Sequence, residues 1–218
     1  MPAPAKLPPP AAVLWDLDGT LIDQTAAIIQ CFSDVVTSMD APKPAPEVIR
    51  RSLGGPMPST MALLIEEARL EEACKRFRLH FPEIMFEGLI ILPGGPELIE
   101  YFYKTRIPQA IFTNKHGDTA RRVCKYAGFS KYVPTCFGDK DTQWHKPQAE
   151  LTEHVLQSIE AMAAGACLIG DSPTDVATAR NAGITCYGVA TGAHSVEELL
   201  EAGAAAAFPS LIELKQAL

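Results

Sequence analysis

The stretch AAVLWDLDGTLID, residues 11–23, decides both the fold class and the chemistry of this chain. Its first part, Ala11–Trp15, is a short apolar run, which predicts a buried β-strand. Two carboxylates follow at Asp16 and Asp18, and a glycine and a threonine come directly after them, so the backbone is expected to turn and expose its amides to an anion. Two acidic side chains this close together repel each other unless a cation neutralises them, and magnesium suits carboxylate oxygens. The segment therefore predicts a strand end with one nucleophilic carboxylate, one proton-transferring carboxylate and a magnesium ion.

Strand patterns and helix patterns alternate along the rest of the chain. Four more apolar runs predict strands at Gln109–Thr113, Val133–Phe137, Ala166–Gly170 and Ile184–Val189. The helical patterns between them cover Ala120–Ala127, a stripe of Leu151, Val155, Ile159 and Met162, and Thr174–Ala182, which Ser172 would cap with Pro173 at its first position. Alternation of this kind predicts an α/β fold with a parallel, Rossmann-like sheet covered by helices.

One long segment interrupts this alternation. Residues 24–88 contain no strand pattern but carry apolar stripes at helical spacing, namely Ile28, Phe32, Val35, Val36 and Met39; Met61, Leu64, Ile65 and Ala68; and Ala73, Phe77, Phe81, Ile84 and Met85. We expect residues 24–88 to form a helical cap inserted into a core made of residues 11–23 and 89–218, with extra helices lying flat on the sheet as the alternative. Pro82 is expected to end or kink the last helix. Residues 1–10, which read MPAPAKLPPP, predict an extended proline-rich tail.

Composition excludes several classes of function. The formal net charge is -7 and the pI is near 5.2, which argues against a nucleic-acid partner. No apolar run approaches the roughly 20 residues of a membrane span, and the N-terminus has no apolar signal core, so we expect a cytoplasmic protein with no membrane partner. Six cysteines occur without a C-x-x-C pair, which predicts reduced thiols and no zinc site. Composition leaves the choice between monomer and homodimer open.

Three more groups of polar residues are expected at the edge of the sheet. Thr113 and Asn114 end the second predicted strand, and Lys146 lies in an HKP sequence before a helix pattern. Asp171 follows the fourth predicted strand, where open α/β sheets bind their ligands, and Asp175 lies in the next helix pattern. Each residue type also occurs in turns, on surfaces or as a helix cap, and capping suits Asp175 better than Asp171.

Together, the motifs D-x-D-G-T-L, a hydroxyl residue after strand two, a lysine before a helix, and G-D-S-x-x-D resemble the haloacid dehalogenase superfamily. The similarity is greatest to its capped phosphatases, the phosphoglycolate phosphatases among them. The resemblance implies that Asp16 is the nucleophile and Asp18 the general acid and base. It also implies that the strands ending at Asp16 and Asp171 are neighbours in the sheet.

The same resemblance implies how phosphate and metal are bound. Thr113, Lys146 and the Asn114 amide would hold the phosphoryl group. Mg²⁺ would be held by Asp16, the backbone carbonyl of Asp18, and Asp171, with Asp175 ordering its surroundings. Related dehalogenases and phosphonate-cleaving enzymes lack the second aspartate, which favours a phosphatase here. Gln24 departs from the usual serine or threonine at the hinge to the cap.

The cap suggests a substrate. In capped relatives a loop between cap helices reaches the active site, and here the loop candidate contains Arg50, Arg51, Gly54 and Gly55. We expect this loop to face Asp16, with Arg50 or Arg51 binding a substrate carboxylate. A small phosphorylated metabolite such as phosphoglycolate is therefore the leading substrate. Nucleotides and pyrophosphate are alternatives, and a phospho-acceptor signalling domain is a more distant one.

Overall fold

The computed structural model describes residues 6–218 of the 218-residue chain, so residues 1–5 of the predicted tail lie outside the described residues. The rest of that tail lies against the core. The Leu7 amide donates a hydrogen bond to the Ala217 carbonyl at 2.7 Å, and Pro10 is buried. None of the helices in residues 6–218 combines the length and apolar character needed to cross a membrane.

The helices and strands follow one another in mixed order. They are β1 (Ala12–Trp15), β2 (Ile22–Asp23), α1 (Thr25–Thr37), α2 (Pro46–Ser52), α3 (Met57–Ala62), α4 (Leu70–Ile84), β3 (Ile90–Ile91), α5 (Gly95–Lys104), β4 (Gln109–His116), α6 (Gly117–Tyr126), β5 (Cys136–Asp139), α7 (Ala149–Ser158), β6 (Ala166–Gly170), α8 (Pro173–Asn181), β7 (Thr185–Val189), α9 (Val196–Ala202), β8 (Ala206–Phe208) and α10 (Leu211–Ala217). Short 3₁₀ turns occur at Glu67–Arg69 and Phe129–Lys131.

Six strands form a parallel sheet in the order β5-β4-β1-β6-β7-β8, which confirms the predicted α/β fold. At its centre, Trp15 of β1 pairs with Ile111 of β4 on one side and with Ile169 of β6 on the other. The strands ending at Asp16 and Asp171 are therefore neighbours, as expected. The chain proceeds from β1 to β4 and β5 on one side of the sheet and from β6 to β7 and β8 on the other, so a crevice is expected at the carboxyl ends of β1 and β6.

Alternating side chains of β1 build an apolar layer on each face of the sheet. Val13 and Trp15 pack with α5, α6 and α10, whereas Ala12 and Leu14 pack with α7, α8 and α9. The buried Trp15 indole donates to Gln109 Oε1 at 2.9 Å, so its polar atom is satisfied. This two-sided burial fixes β1 rigidly beneath Asp16.

Several predicted elements need correction. The third predicted strand, Val133–Phe137, is displaced towards Cys136–Asp139, and the helix predicted to include Met162 ends at Ser158, leaving Met162 77% exposed. Strands β2, β3 and β8 were not predicted. The first two have two residues each and are too short to show a period, and β8 lies in an alanine-rich segment that has little β propensity.

The segment between β2 and β3 is helical, as expected, and is built from α1–α4. The Phe32 and Phe77 rings lie 4.5 Å apart between α1 and α4, and Phe77 stacks on Phe81 at 5.4 Å. The predicted stripe of Met61, Leu64, Ile65 and Ala68 is wrong as a helix, because α3 ends at Ala62. Pro82 lies inside α4, which continues to Ile84. Below, "the cap" means the predicted range 24–88.

The cap contacts the core at several points. Its two chain crossings form the antiparallel β2–β3 pair, and the buried Gln24 side chain ties them by donating to the Met85 carbonyl. At the far side, Asn114 Nδ2 of the core donates to the Gly54 carbonyl at 3.1 Å. Gly54 adopts a φ of 94° and lies directly against Ser172. The loop that holds Gly54 is therefore seated on the edge of the sheet.

Replacing Gly54 by alanine should lift this loop from the core. An added Cβ would lie 2.8 Å from the Ser172 Cβ and Oγ atoms, and the left-handed backbone alone costs about 1–2 kcal/mol. Hydrogen–deuterium exchange of the peptide around Gly54 should become faster in G54A. Gly128→Ala is the matched control, because Gly128 has a φ of 78° with no atom within 4 Å of the added carbon. Unchanged exchange at Gly54 in the G54A variant would contradict the proposed contact.

Candidate active site

Four charged side chains are buried together at the carboxyl edge of the sheet. Asp16 directly follows β1, Asp171 directly follows β6, Asp175 lies in the first turn of α8, and Lys146 lies in the loop before α7. Each is at most 6% exposed. Charged groups are rarely buried unless they are paired, so their contacts decide what this site can do.

Lys146 is the ammonium at the centre of the cluster. Its Nζ donates to Asp16 Oδ1 at 2.6 Å and to Asp175 Oδ1 at 2.7 Å. Burial alone would lower the pKa of Lys146, but the two carboxylates raise it above its ordinary value. The side chain is therefore a fixed positive charge, and the alternative of a solvated surface lysine is excluded.

Asp175 has two structural partners. Its Oδ2 accepts hydrogen bonds from the Ser172 amide at 3.1 Å and the Ser172 hydroxyl at 2.6 Å, while Oδ1 accepts from Lys146. The Ser172 hydroxyl caps the Asp175 amide in return, which confirms the predicted helix cap at Ser172 with Pro173 next. Asp175 thus links the start of α8 to Lys146.

The cluster holds more negative than positive charge. Asp16, Asp171 and Asp175 can each direct one carboxylate oxygen to within 4.8 Å of the others, and Lys146 is the ammonium that faces them. Burial raises the pKa of Asp16 to about 7, with Lys146 opposing the shift. Burial, followed by the charge of Asp16, also raises the pKa of Asp171 well above its ordinary value. A divalent cation would remove this conflict, because a nearby positive charge stabilises the ionised carboxylates.

Close packing by two glycines and a threonine restricts the position of the Asp171 carboxylate. A Cβ on Gly19 would lie 2.3 Å from Asp171 Oδ2, and one on Gly192 would lie 1.8 Å from the same atom. Thr20 Oγ1 donates to the other oxygen at 3.0 Å. Hard oxygen donors held in this way fit magnesium better than a softer metal.

Asp18 lies beside this cluster and faces the cap. Its two oxygens accept hydrogen bonds from Lys115 Nζ at 3.0 and 2.9 Å, and the same ammonium lies 4.7 Å from the centre of the Phe81 ring. Sequence reasoning missed Lys115. The predicted strand ended at Thr113, whereas β4 continues to His116 with an irregular register after Phe112, and this continuation places Lys115 at the cavity.

Thr113 and Asn114 lie within β4, which continues to His116 instead of ending at Thr113 as predicted. Both are buried and contribute to the cavity wall. Asn114 Oδ1 accepts from the Lys146 amide at 3.0 Å, and its Nδ2 donates to the Gly54 carbonyl, so the Asn114 side chain joins the Lys146 loop to the cap. Thr113 also lines the cavity, and its hydroxyl accepts a hydrogen bond from the Lys115 amide at 3.2 Å.

A cavity of about 410 Å³ lies between the cap and the core. Asp16, Asp18 and Thr113 line its core side, and Gly54 and Gly55 line its cap side. The cavity connects the buried carboxylate cluster with the cap, so a bound molecule would contact both parts of the chain.

Arg50 and Arg51 do not line this cavity, so the structure contradicts their predicted position facing Asp16. Arg50 lies 3.7 Å from Glu47 on the exposed side of α2. Arg51 donates to the Ala193 carbonyl at 3.1 Å and to Glu198 at 3.2 Å. Helix α2 turns both guanidinium groups towards acidic partners outside the cavity. The arginines that do line the cavity are Arg78 of the cap and Arg122 of the core.

Comparison with known proteins agrees with this geometry. The family model "Haloacid dehalogenase-like hydrolase" matches residues 13–189. The chain is 30% identical to the 5'-nucleotidase of Pseudomonas aeruginosa over 86% of each chain, and 26% identical to the phosphoglycolate phosphatase of Rhodospirillum rubrum over 94% of this chain and 89% of that one. A haloacid dehalogenase-like hydrolase of Streptococcus pneumoniae superposes with a TM-score of 0.85 at 24% identity, covering 94% of this chain and 96% of its own. This chain belongs to the haloacid dehalogenase-like hydrolases.

Proposed function

We propose that this protein is a magnesium-dependent phosphatase that transfers the phosphoryl group of a small metabolite to Asp16 and then to water. The proposal rests on the Asp16 carboxylate, which follows β1 and is held by the 2.6 Å contact with Lys146. The same carboxylate lines the cavity between the core and the cap. A carboxylate held in this way can attack phosphorus with little loss of entropy. Membership of a hydrolase family disfavours the alternative of a signalling domain.

In the first step, a free oxygen of Asp16 forms a bond to phosphorus as the bond from phosphorus to the substrate oxygen breaks. Asp18 gives a proton to the departing alcohol. In the second step, Asp18 takes a proton from a water molecule, which attacks phosphorus and releases phosphate and the Asp16 carboxylate. Lys146 and the Thr113 hydroxyl stabilise the phosphoryl oxygens in both steps.

Lys115 would hold Asp18 in place as the base of the second step, and it would release one Asp18 oxygen to carry the proton that the first step transfers. Its bidentate contact fixes the Asp18 carboxylate at the cavity wall, and its cation–π contact with Phe81 connects that position to the cap. Seating of the cap would therefore help to place Asp18 over the leaving group.

The residues at the sheet edge fit magnesium. Asp16, Asp171 and the backbone carbonyl of Asp18 would hold the ion, and Asp175 would support the site through Lys146 and Ser172. When bound, magnesium supplies positive charge that neutralises the phosphoryl oxygens.

The substrate class is inferred from the named relatives and from the residues that line the cavity. The named relatives include a phosphoglycolate phosphatase and a 5'-nucleotidase, which favours a small phosphorylated metabolite. Arg50 and Arg51 do not line the cavity, so their positions do not support binding of a substrate carboxylate. A substrate carboxylate, as in phosphoglycolate, would instead meet Arg78, which lines the cavity from α4.

Replacement of Asp16 by asparagine tests the nucleophile. D16N keeps the shape of the side chain but removes the attacking charge, so kcat with magnesium and an alkyl phosphate should fall by at least about 1,000-fold. Circular dichroism should show an unchanged fold. Asp40→Asn is the control, since Asp40 is exposed in the cap. More than a tenth of wild-type activity in D16N would refute the assignment.

Removal of metal tests the second part of the proposal. Excess chelator should abolish turnover, and added magnesium should restore it. Magnesium should also raise the Tm of the wild-type protein by at least about 2 °C, because it binds the folded site. That shift should be lost in Asp171→Asn. Full turnover in chelator, or an equal Tm shift in both proteins, would speak against this site.

A double-mutant cycle tests whether Lys115 acts through Asp18. Lys115→Met keeps the aliphatic chain and removes the charge, so kcat/KM should fall on the order of 10-fold to 100-fold. In an Asp18→Asn background the same change should have little further effect. Lys125→Met, on the exposed side of α6, is the matched control. Equal losses in both backgrounds would show that Lys115 does not work through Asp18.

A further inference from the structure

The cavity has a polar core side and a largely apolar cap side. The core contributes charged and polar groups around Asp16 and Asp18. The cap contributes Ile28, Phe32, Leu53, Met57, Phe77 and Phe81, with Thr60 and Arg78 as polar members. This division separates the chemistry of the phosphate from the recognition of whatever alcohol the phosphate is attached to.

The three phenylalanines form one continuous wall. Phe77 lies between the other two, with ring centroids 4.5 Å from Phe32 and 5.4 Å from Phe81. All three are at most 8% exposed and are fixed by packing between α1 and α4. Such a wall binds an apolar or aromatic group most favourably, because that group can pack against the rings and be removed from contact with water.

Three contacts hold the cap against the core beside the cavity. Asn114 holds the Gly54 loop, Arg51 holds the end of α2 to the Ala193 carbonyl, and Lys115 lies over Phe81. The remaining space of about 410 Å³ falls in the range of sites that enclose a ligand of drug size. Phosphoglycolate has the shortest carbon skeleton of any phosphorylated hydroxy acid, and it would leave the phenylalanine wall facing water.

We propose that the preferred substrate is a phosphate monoester of an alcohol that carries an apolar ring or chain, with its phosphate at Asp16 and its apolar part against Phe32, Phe77 and Phe81. This inference rests on the proposed phosphatase function and specifies its substrate class. Apolar contact made by the alcohol would help to seat the cap over the phosphate, so the selectivity should be expressed in kcat/KM.

The test compares 2-phenylethyl phosphate with ethyl phosphate and phosphoglycolate, all with magnesium. The first two are esters of simple primary alcohols, so their leaving groups are alike and the ring is the main difference. Wild-type protein should hydrolyse 2-phenylethyl phosphate with a kcat/KM at least about tenfold above that of either other ester, since burial of a ring stabilises the complex. Equal or reversed preference would overturn the inference and leave the phosphatase function standing. Hydrolysis of none of the three above the D16N background would overturn both.

Variants of the wall locate the source of the preference. Met57→Gln preserves length at a partly exposed cap residue that lines the same cavity, but it places an amide beside the apolar part of the substrate, so the ratio of kcat/KM for 2-phenylethyl over ethyl phosphate should fall at least about threefold. Met162→Gln makes the same substitution at an exposed position outside the cavity and should leave the ratio unchanged. Thermal melting of both variants checks their folding. A Met57→Gln variant with the wild-type ratio would overturn the placement of the apolar group on the cap.

Discussion

The contact between the Lys146 ammonium and the Asp16 carboxylate is the interaction on which the rest of the site depends. Asp16, Asp171 and Asp175 come from separate elements, and burying them together without a cation would be strongly unfavourable. Lys146 offsets part of that charge by bonding Asp16 and Asp175 at once. The charge that remains is what makes the site suitable for magnesium. We therefore attribute the buried ion pair to the chemistry of the site and not to stabilisation of the fold.

The fold supplies the rigidity that this arrangement needs. Strand β1 is covered on both faces and paired on both edges, so Asp16 begins its turn from a fixed point. The cap has a different task. Its phenylalanines and the Gly54 loop close the space above the carboxylates, and Lys115 and Asn114 connect that closure to the catalytic edge. In the proposed function, chemistry and substrate selection belong to different parts of the chain, an arrangement that lets one core serve different substrates.

The core of this site could be predicted because its residues follow strands. Asp16 and Asp171 end apolar runs, and parallel pairing brings such ends together wherever the intervening chain goes. Lys115 was overlooked because its partner Asp18 is distant in sequence and because the predicted strand stopped at Thr113, whereas β4 continues to His116. Arg50 and Arg51 were misplaced because the direction of a short cap helix depends on packing against α1 and α3, which no local pattern records. The three short strands were missed because two or three residues cannot display a period.

The proposed mechanism requires the phosphoryl group to form a covalent bond to Asp16. The most direct test is an acid quench of wild-type protein during turnover of an alkyl phosphate with magnesium, followed by peptide mapping with mass spectrometry. Acid slows hydrolysis of an acyl phosphate, so the intermediate can be trapped. A phosphorylated peptide covering residues 11–23, with the phosphate on Asp16, is the expected result. Phosphate on another residue, or rapid turnover with no labelled peptide at any quench time, would contradict the mechanism.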